Sequence, residues 1–154
     1  MPPSLRDEIQ QTKPFTSPRE EAYLNLQRTA ALLEQQLLQF FKPWDLTPTQ
    51  YNVLRILRGA APSGLPCREV GNRMVTPVPD VTRLLDRLES KGWVARGRAE
   101  ADRRVVLTTI TPSGEELLGE IDRPLSEQME EMLGHVDEDE LRRLNEILFR
   151  ARNP

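Results

Sequence analysis

The sequence predicts a mainly α-helical (α+β) protein with one small core and a short β-hairpin, and three observations lead to this class. Over residues 76–93, apolar side chains recur at helical spacing, which is typical of a helix with one buried face. Two short runs rich in Val, Thr and Ile follow directly and predict a hairpin. Long amphipathic segments lie on both sides of this centre, so we expect long helices to flank it.

The central helix is predicted to run from Pro77 to Lys91, with Thr76 as its N-terminal cap. Gly92 suits a left-handed C-terminal cap, after which Trp93 can pack back on Leu88. The buried face consists of Val81, Leu84, Leu85 and Leu88. The opposite face is therefore free for a partner, and it carries Pro79, Thr82, Arg83, Asp86 and Arg87, with Val78 and Asp80 nearer its edges.

The hairpin is predicted from two strands, Val94–Arg98 and Arg104–Ile110, joined by the short polar segment 99–103. A helix with a polar outer face followed at once by an arginine-rich hairpin offers two probes for DNA. The helix fits the major groove, and the hairpin can reach a neighbouring minor groove or the backbone. The arginines of the hairpin are Arg96, Arg98, Arg103 and Arg104.

Composition and charge agree with this interpretation. The 154 residues, 38% of them hydrophobic, can bury one core, and the net charge is −3. Residues 68–104 nevertheless hold nine basic and six acidic side chains, whereas the rest holds twelve and eighteen, so basic charge is concentrated at the helix and hairpin. We expect no membrane segment and a cytoplasmic location, because neither a long apolar run nor a secretion leader is evident.

The segment before the centre is predicted to contain a flexible N-terminal arm and a long helix. Residues 1–16 lack periodicity and form the arm, and Ser17 to Glu20 read as a capping box that opens the helix 17–42. The seam of this helix has heptad-like spacing that one helix cannot bury alone, so another surface must cover it. The seam consists of Tyr23, Leu26, Ala30, Leu33, Leu37 and Phe40.

Residues 46–110 are predicted to form a winged helix-turn-helix lobe. Lys42 to Asp45 break the first long helix, and Thr47 to Gln50 form a second capping box for a helix through about Arg58. A turn over 59–66 leads to a short helix from Cys67 to Met74. The order of helix, short helix, central helix and hairpin is that of a two-stranded wing on a helix-turn-helix.

The C-terminal segment 111–152 is predicted to contain two more amphipathic helices. Thr111 to Gly114 cap the first, in which Pro124 predicts a kink, and Asp137 to Glu140 open the last. We expect residues 17–154 to form one domain whose terminal helices, 17–42 and 111–152, bury their apolar faces in a two-fold dimer. Half-sites of a pseudo-palindromic double-stranded DNA operator, about one helical turn apart, would match such a dimer. The last apolar stripe consists of Leu141, Leu144, Leu148 and Ala151.

From Ser17 to Arg152 the sequence resembles the MarR family of bacterial transcription regulators. Three stretches carry the resemblance, and their common order and spacing make it specific: 46–54 (LTPTQYNVL), 81–94 (VTRLLDRLESKGWV) and 102–114 (DRRVVLTTITPSG). The resemblance implies a homodimer that pairs through its terminal helices and places the helix Pro77–Lys91 in the major groove. It also implies that Arg103 reaches the minor groove, and that Asp102 holds an arginine of its own wing.

Family members commonly repress transcription and release DNA when a small, often aromatic, ligand or an oxidant acts on them. This chain differs from many relatives at Pro79 and Asp80, where they carry small hydroxyl residues; Asp80 would repel phosphate or accept a hydrogen bond from cytosine. Arg96 and Arg98 can equally be backbone contacts or salt-bridge partners. The predicted DNA-binding set is Thr76, Val78, Pro79, Thr82, Arg83, Arg87, Arg96, Arg98, Asp102, Arg103 and Arg104.

Other side chains have two interpretations each. Phe40, Trp44 and Tyr51 are assigned to a cleft for a small aromatic ligand, although packing is the ordinary role of such residues. Cys67 lies near a helix start, where a thiol can be redox-sensitive, but a small buried residue is the commoner case. His135, the single histidine, is expected on the surface, so no metal site and no cofactor are predicted.

The sequence therefore predicts a homodimeric, sequence-specific DNA-binding regulator, a repressor relieved by a ligand. The alternative is a winged-helix module that binds proteins and not DNA, but such a module has no need of four cations on one hairpin. An enzyme is not supported, because no nucleophile with a base, phosphate loop or metal-ligand spacing is present.

Overall fold

The computed structural model describes residues 4–154, and these fall into two compact units that divide between Pro48 and Thr49. Within the described residues the chain has seven α-helices, one 3-10 turn and a three-stranded sheet. The first three residues of the predicted N-terminal arm lie outside the described residues. No helix in the described part of the chain is long and apolar enough to cross a membrane.

The first unit begins with a helix that the sequence analysis did not predict. Helix α1 (Leu5–Glu8) is stabilised by a capping box in which Ser4 and Asp7 exchange hydrogen bonds, and Leu5 is buried. The Arg6 guanidinium donates to the carbonyls of Gln11 and Thr12, which closes the chain behind the helix. The mobility of the arm stays a prediction.

Helix α2 (Pro18–Phe41) starts where the sequence predicted, with the Ser17 hydroxyl accepting the amide hydrogen of Glu20. The reciprocal bond differs from the predicted capping box, because the Glu20 carboxylate accepts from Thr16 and not from Ser17. A 3-10 turn (Lys42–Trp44) ends the helix, as the break at Lys42–Asp45 predicted.

Most of the apolar surface of α2 is exposed. Phe41 is the one buried residue of this 24-residue helix, whereas Tyr23 is 59% and Leu26 45% exposed. An amphipathic helix of this length is stabilised mainly by packing of its apolar face. The first half of the predicted seam, Tyr23, Leu26 and Ala30, is therefore exposed, whereas Leu33, Leu37 and Phe40 are half-buried. Coverage of this seam by a second copy stays a prediction.

The second unit contains the predicted lobe. Helix α3 (Pro48–Gly59) buries Val53, Leu54 and Leu57 completely and is followed by a two-residue strand, β1 (Leu65–Pro66). Helix α4 (Cys67–Arg73) is the predicted short helix, and it buries Val70. Helix α5 (Val81–Ser90), strand β2 (Val94–Arg98) and strand β3 (Val106–Ile110) complete the helix-turn-helix and its wing.

The sheet is antiparallel, with the strand order β1-β3-β2. The hairpin register pairs Val94 with Ile110 and Arg98 with Val106, and β1 adds a third strand that the sequence analysis missed. Pro66 lies at the edge of this sheet, the position where proline is tolerated in a sheet. Strand β3 begins two residues later than predicted, so that Arg104 lies in the wing loop.

The start of α5 corrects a prediction. The helix begins at Val81 and not at Pro77, and its N-terminal cap is Asp80, whose carboxylate accepts the amide hydrogen of Arg83 at 2.9 Å. The physical reason lies in Pro79, because a proline disfavours helical backbone in the residue before it, here Val78. Thr76, Val78 and Pro79 therefore belong to the loop between α4 and α5.

The end of α5 is the predicted glycine cap. Gly92 has a φ of +77°, its amide donates to the Glu89 carbonyl, and the Trp93 amide donates to the Leu88 carbonyl. These two bonds define a Schellman motif. Thr111 fixes the same loop to the next helix, because its amide donates to the Trp93 carbonyl and its hydroxyl to the Gly92 carbonyl.

Two long helices complete the second unit. Helix α6 (Pro112–Leu133) is capped by Thr111, buries Leu118 and Ile121, and contains Pro124 in its interior. Helix α7 (Glu138–Arg152) is capped by Asp137, as predicted, but buries none of its residues. A bidentate ion pair joins α3 to α6: the Arg58 Nη1 and Nη2 atoms lie 2.8 and 3.0 Å from the Asp122 carboxylate oxygens.

Candidate nucleic-acid interface

The outer face of α5 is formed by exposed polar side chains. Leu85 and Leu88 are buried on the inner face, whereas Thr82, Arg83 and Arg87 are exposed on the outer one. Across residues 4–154, the side chains of Arg83 and Arg87 form no ion pair. Two cations one turn apart are thus available to an external anion, and the helix has the dimensions that the major groove admits.

Two acidic residues of this helix are held by groups of the protein. The Asp80 carboxylate caps the helix, where negative charge interacts favourably with the exposed amide groups. The Asp86 carboxylate pairs with Arg96. Both acidic groups therefore have partners within the protein, and the unpaired charge on the outer face is positive.

Arg96 connects the wing to α5. Its Nε atom lies 2.9 Å from Glu89 Oε2, and its Nη2 atom donates to both Glu89 Oε2 and Asp86 Oδ1. The side chain is 26% exposed, and the hydrogen bonds that the guanidinium donates to the two carboxylates, first Glu89 and then Asp86, raise its pKa. Of the two interpretations of Arg96, this geometry favours the salt-bridge partner.

The wing loop arranges its own charged side chains. Arg98 Nη1 donates to the Arg103 carbonyl at 3.0 Å, and Val105 donates to the Asp102 carbonyl, which closes the loop. Asp102 accepts from the backbone amide and the guanidinium of Arg104, and these bonds lower the pKa of the Asp102 carboxyl. The Arg103 side chain is exposed and, among the described residues, has no hydrogen-bond or ion-pair partner.

This arrangement matches what the resemblance implied for Asp102, with Arg104 as the arginine that it holds. Because the carboxylate receives both the amide and the guanidinium of Arg104, the loop conformation around Arg103 is fixed from one side. The Arg103 side chain then projects as the unpaired cation of the tip.

The loop before α5 is held by a residue that the sequence analysis missed. The Asn52 Oδ1 atom on α3 accepts the amide hydrogen of Val75 at 2.9 Å. Thr76 and Pro79 are exposed in this loop and Val78 is half-buried. These three predicted DNA-binding residues therefore lie beside the N-terminal end of α5 and not on its face.

Cys67 and Thr82 lie side by side, with 3.6 Å between the sulfur and the hydroxyl oxygen. Cys67 is half-buried and unpaired, and the contact connects the start of α4 to the first turn of α5. His135 is exposed beyond the end of α6, as expected.

The residues assigned to a ligand cleft fall in both units. In the first, the rings of Phe40 and Trp44 lie 5.3 Å apart between centroids, and Phe40 also meets Phe41 edge-on at 5.0 Å. In the second, Tyr51 is a buried residue of α3, and burial raises the pKa of its phenol. A ligand role for the three residues stays a prediction.

The roles that the sequence analysis missed belong to acidic or amide side chains within the lobe: Asp80 as a cap, Asp86 and Glu89 as partners of Arg96, and Asn52 as an acceptor for the loop before α5. Asp80 carried a usable signal, because an Asp that follows a proline and precedes an apolar helical pattern is a typical cap. Glu89 and Asp86 carried a weaker one, since their spacing places both on one helix face without showing what they meet. Asn52 carried no signal in the sequence.

Comparison with known proteins agrees with this geometry. A model described as the MarR family matches residues 44–105. The chain is 30% identical over 116 residues to the multiple antibiotic resistance protein MarR of Salmonella typhimurium, covering 75% of this chain and 79% of that protein.

Solved structures give the same result. A MarR transcription factor from Planctomyces limnophilus is 37% identical, has a TM-score of 0.68, and is matched over 88% of this chain and 98% of its own. A mutant MarR from E. coli, complexed with operator DNA, is 25% identical with a TM-score of 0.74, over 99% of this chain and 100% of its own.

Proposed function

The chain belongs to the MarR family of transcription regulators, and we propose that it binds a pseudo-palindromic operator as a homodimer, with α5 in the major groove and Arg103 in the minor groove. The family identifies a DNA-binding transcription regulator and not an enzyme. One observation carries the finer proposal. The side chains of Arg83, Arg87 and Arg103 have no hydrogen-bond or ion-pair partner among the described residues. The carboxylates of their acidic neighbours all have a partner within the protein: Asp80, Asp86 and Asp102.

The unpaired cations favour DNA over an acidic protein partner because they lie on two elements of different shape. A helix face suits the width of the major groove, and a narrow loop tip suits the minor groove, where arginine meets an enhanced negative potential. Thr82 adds a hydroxyl and a methyl group to the helix face, which provides a hydrogen bond or an apolar contact to a base edge.

The homodimer is supported by helices that bury almost nothing of their own. In α7 no residue is buried, and Leu144, Ile147 and Phe149 are 43%, 45% and 61% exposed. Helix α2, described by itself, exposes Tyr23 and Leu26 to a similar extent. Exposed apolar residues on long helices mark an interaction surface, and a second copy covers both surfaces with one two-fold operation.

We further assign the protein to repression that a small aromatic ligand relieves. A dimer bound to an operator that overlaps a promoter blocks access to the same DNA, which is the simplest effect of binding on transcription. The Phe40–Trp44 pair supplies an aromatic surface for a planar ligand. Loss of operator binding on addition of a small aromatic acid such as salicylate would support this assignment, and unchanged binding across a panel of such acids would contradict it.

The main test measures DNA binding by fluorescence anisotropy. The purified protein is titrated against a duplex from upstream of its own coding region and against a scrambled duplex of equal length, at two salt concentrations. We expect tight, salt-sensitive binding to the first duplex and weaker binding to the second. Equal and weak binding to both duplexes, or binding insensitive to salt, would favour a protein-binding module.

Arg103→Ala tests the wing in the same assay. We expect it to weaken operator binding about tenfold, because it removes one base or phosphate contact worth about 1–3 kcal/mol, and to leave thermal unfolding unchanged. Arg123→Ala is the matched control, since Arg123 is an exposed arginine on α6 whose ion pair with Glu127 contributes little. Equal affinities of Arg103→Ala and the wild type would remove the wing from the interface.

A further inference from the structure

Arg96 makes a bridge between the wing and two successive turns of α5. Its guanidinium contacts Glu89 through both Nε and Nη2, and Asp86 through Nη2. Asp86 and Glu89 are three positions apart and therefore lie one above the other on the helix surface. The planar guanidinium has five donors in a rigid arrangement, so it can bind two carboxylates from fixed directions at once.

The bridge carries a net charge of −1, which is unfavourable beside a phosphate backbone. If Arg96 contacted DNA through its remaining Nη1 donors, it would bring both carboxylates towards the phosphates. A contact through the Nε or Nη2 donors would instead leave Glu89 or Asp86 without its partner. Arg83, Arg87 and Arg103 are already available for that role without such a cost. The position and charge of the three bridge residues are thus better explained by a contact within the protein.

A second set of connections between the end of α5 and the wing lies at the base of the hairpin. The Schellman motif at Gly92 and the hydrogen bonds of Thr111 fix the base, where Val94 pairs with Ile110. Arg96 lies two residues further along β2, opposite Thr108, on the way to the loop that carries Arg103. It is therefore a second attachment, and two separated attachments fix the angle of the hairpin where one allows it to swing.

We propose that Arg96 is a positioning residue that sets the angle between α5 and the wing through Glu89 and Asp86, so that Arg103 and the face of α5 engage one DNA site together. This assignment rests on the proposed DNA binding. It makes Glu89 and Asp86 necessary for tight binding, although they are negatively charged and touch no DNA. Simple electrostatics predicts the opposite, namely that removing a negative charge near DNA strengthens binding.

Neutralising each acidic residue tests whether its charge weakens or supports operator binding. We expect Glu89→Gln to weaken operator binding about tenfold and Asp86→Asn, with its single contact, about threefold, because each loses charge-assisted hydrogen bonds that hold the wing. Glu100→Gln is the matched control: Glu100 is an acidic residue of the wing loop, so removing its charge should leave affinity equal to or above that of the wild type.

A double-mutant cycle tests positioning apart from folding. In the wild type Arg103→Ala is expected to cost about tenfold in affinity, but in an Arg96→Met background only about twofold, because a displaced wing no longer delivers Arg103 to DNA. A loss of overall stability would lower both affinities equally and leave the two ratios the same. Arg96→Glu combined with Glu89→Arg re-forms the pair and should recover part of the lost affinity.

Each outcome decides between the roles. If Glu89→Gln and Asp86→Asn strengthen binding while Arg96→Met weakens it, Arg96 is a direct DNA contact and the proposal is wrong. It is equally wrong if Arg96→Met and Arg103→Ala are additive, or if none of the three bridge variants changes affinity. Failure of the wild type to bind any duplex would instead contradict the proposed function, and thermal unfolding of every variant identifies those that do not fold.

Discussion

Asp80 combines two properties that act in opposite directions on the function of α5. Its carboxylate accepts the Arg83 amide hydrogen and so satisfies one of the free donors at the helix start. The same carboxylate places a negative charge at the N-terminal end of α5, the helix that we propose contacts DNA. Substitutions that separate hydrogen-bond acceptance from charge can therefore measure each property alone.

We expect Asp80→Ala to lower the free energy of unfolding by about 1 kcal/mol, since it removes the cap. Asp80→Asn keeps an acceptor oxygen, so its stability should stay within about 0.5 kcal/mol of the wild type while operator affinity is equal or higher. Urea unfolding and anisotropy titrations measure the two effects. Equal destabilisation by both substitutions would show that the charge, and not the hydrogen bond, stabilises the helix.

The Arg58–Asp122 pair gives the stability of the second unit an acid-sensitive component. Hydrogen bonds from Arg58 lower the pKa of Asp122 below its ordinary value of 3.8. A carboxyl whose pKa is depressed on folding contributes stability above its unfolded pKa and loses that contribution as the pH falls through the folded value. The stability that the ion pair contributes is therefore fully present at neutral pH. It starts to fall below about pH 3.8 and is lost once the pH is below the lowered pKa of Asp122.

The prediction compares wild type and Asp122→Asn by thermal unfolding between about pH 6 and pH 2. The wild type should be the more stable protein at pH 6, and the difference should shrink as the pH falls, because protonation breaks the ion pair that the variant already lacks. Asp7, Glu20 and Asp102 also have lowered pKa values, so both proteins lose stability in acid. A difference independent of pH would exclude this role of the ion pair.

At the next scale, α6 and the end of α5 meet through backbone groups, and glycine makes the meeting possible. A Cβ atom at Gly114 would lie 2.3 Å from the Trp93 carbonyl oxygen and 2.8 Å from the Ile110 Cγ1 atom. The first neighbour is backbone of the Schellman loop and cannot rotate away. A Cβ atom at Gly119, five residues along the same helix, would have no neighbour within 4 Å among the described residues.

These two glycines make a matched pair of substitutions. Gly114→Ala should destabilise the protein by about 2 kcal/mol or more, because the helix start or the loop has to shift. Gly119→Ala should stabilise it by about 0.5–1 kcal/mol, since alanine has the better helix propensity and meets no neighbour. Chemical unfolding of both variants measures the difference. Stabilisation by Gly114→Ala would show that α6 does not approach Trp93 so closely.

At the scale of the whole molecule, the exposed apolar face of α7 is the feature that needs a partner. This 15-residue helix has no buried residue, and only Leu141 and Leu148 are half-buried, so packing within its own chain covers little of its apolar face. In the proposed homodimer a second copy covers the exposed Leu144, Ile147 and Phe149 of this helix. DNA recognition would then depend on association, because one lobe would read only half of a two-fold operator.

Leu144→Glu should therefore shift the protein from dimer to monomer in sedimentation experiments and weaken binding to the full operator at least tenfold. Arg143→Glu introduces the same charged side chain at the neighbouring exposed position and should leave the dimer intact. A wild-type protein that sediments as a monomer would contradict the homodimer, as would an unchanged dimer of Leu144→Glu.

What could be predicted from the sequence was decided by local chemistry. The Schellman motif at Gly92, the caps at Ser17, Thr111 and Asp137, and the bounds of β2 all follow from a few adjacent residues. The start of α5 was predicted wrongly because two cap signals compete, and the effect of Pro79 on Val78 decides between them.

The remaining features depend on residues that are distant in sequence. Strand β1 is two residues long and exists only through pairing with β3, so no periodicity announces it. The partners of Arg96 are selected by how the hairpin folds back on α5, and the Asn52–Val75 bond depends on the packing of α3 beside the loop. These tertiary contacts determine which arginine side chains are paired within the protein and which are left for another partner.

The attachment of Thr111 to the Gly92 loop has a mechanical consequence. Thr111, the residue before α6, is hydrogen-bonded to the loop at the end of α5. A movement of α6 would therefore be transmitted to α5, the helix that we propose contacts DNA. A helix of 22 residues is about 33 Å long. If α6 turns as a unit about its far end, a rotation of about 6° displaces its N-terminal end by roughly 3.4 Å, the rise of one base pair. In the proposed dimer, small rotations of α6 at the contact between the two copies would therefore move α5 by whole base-pair steps along the double helix.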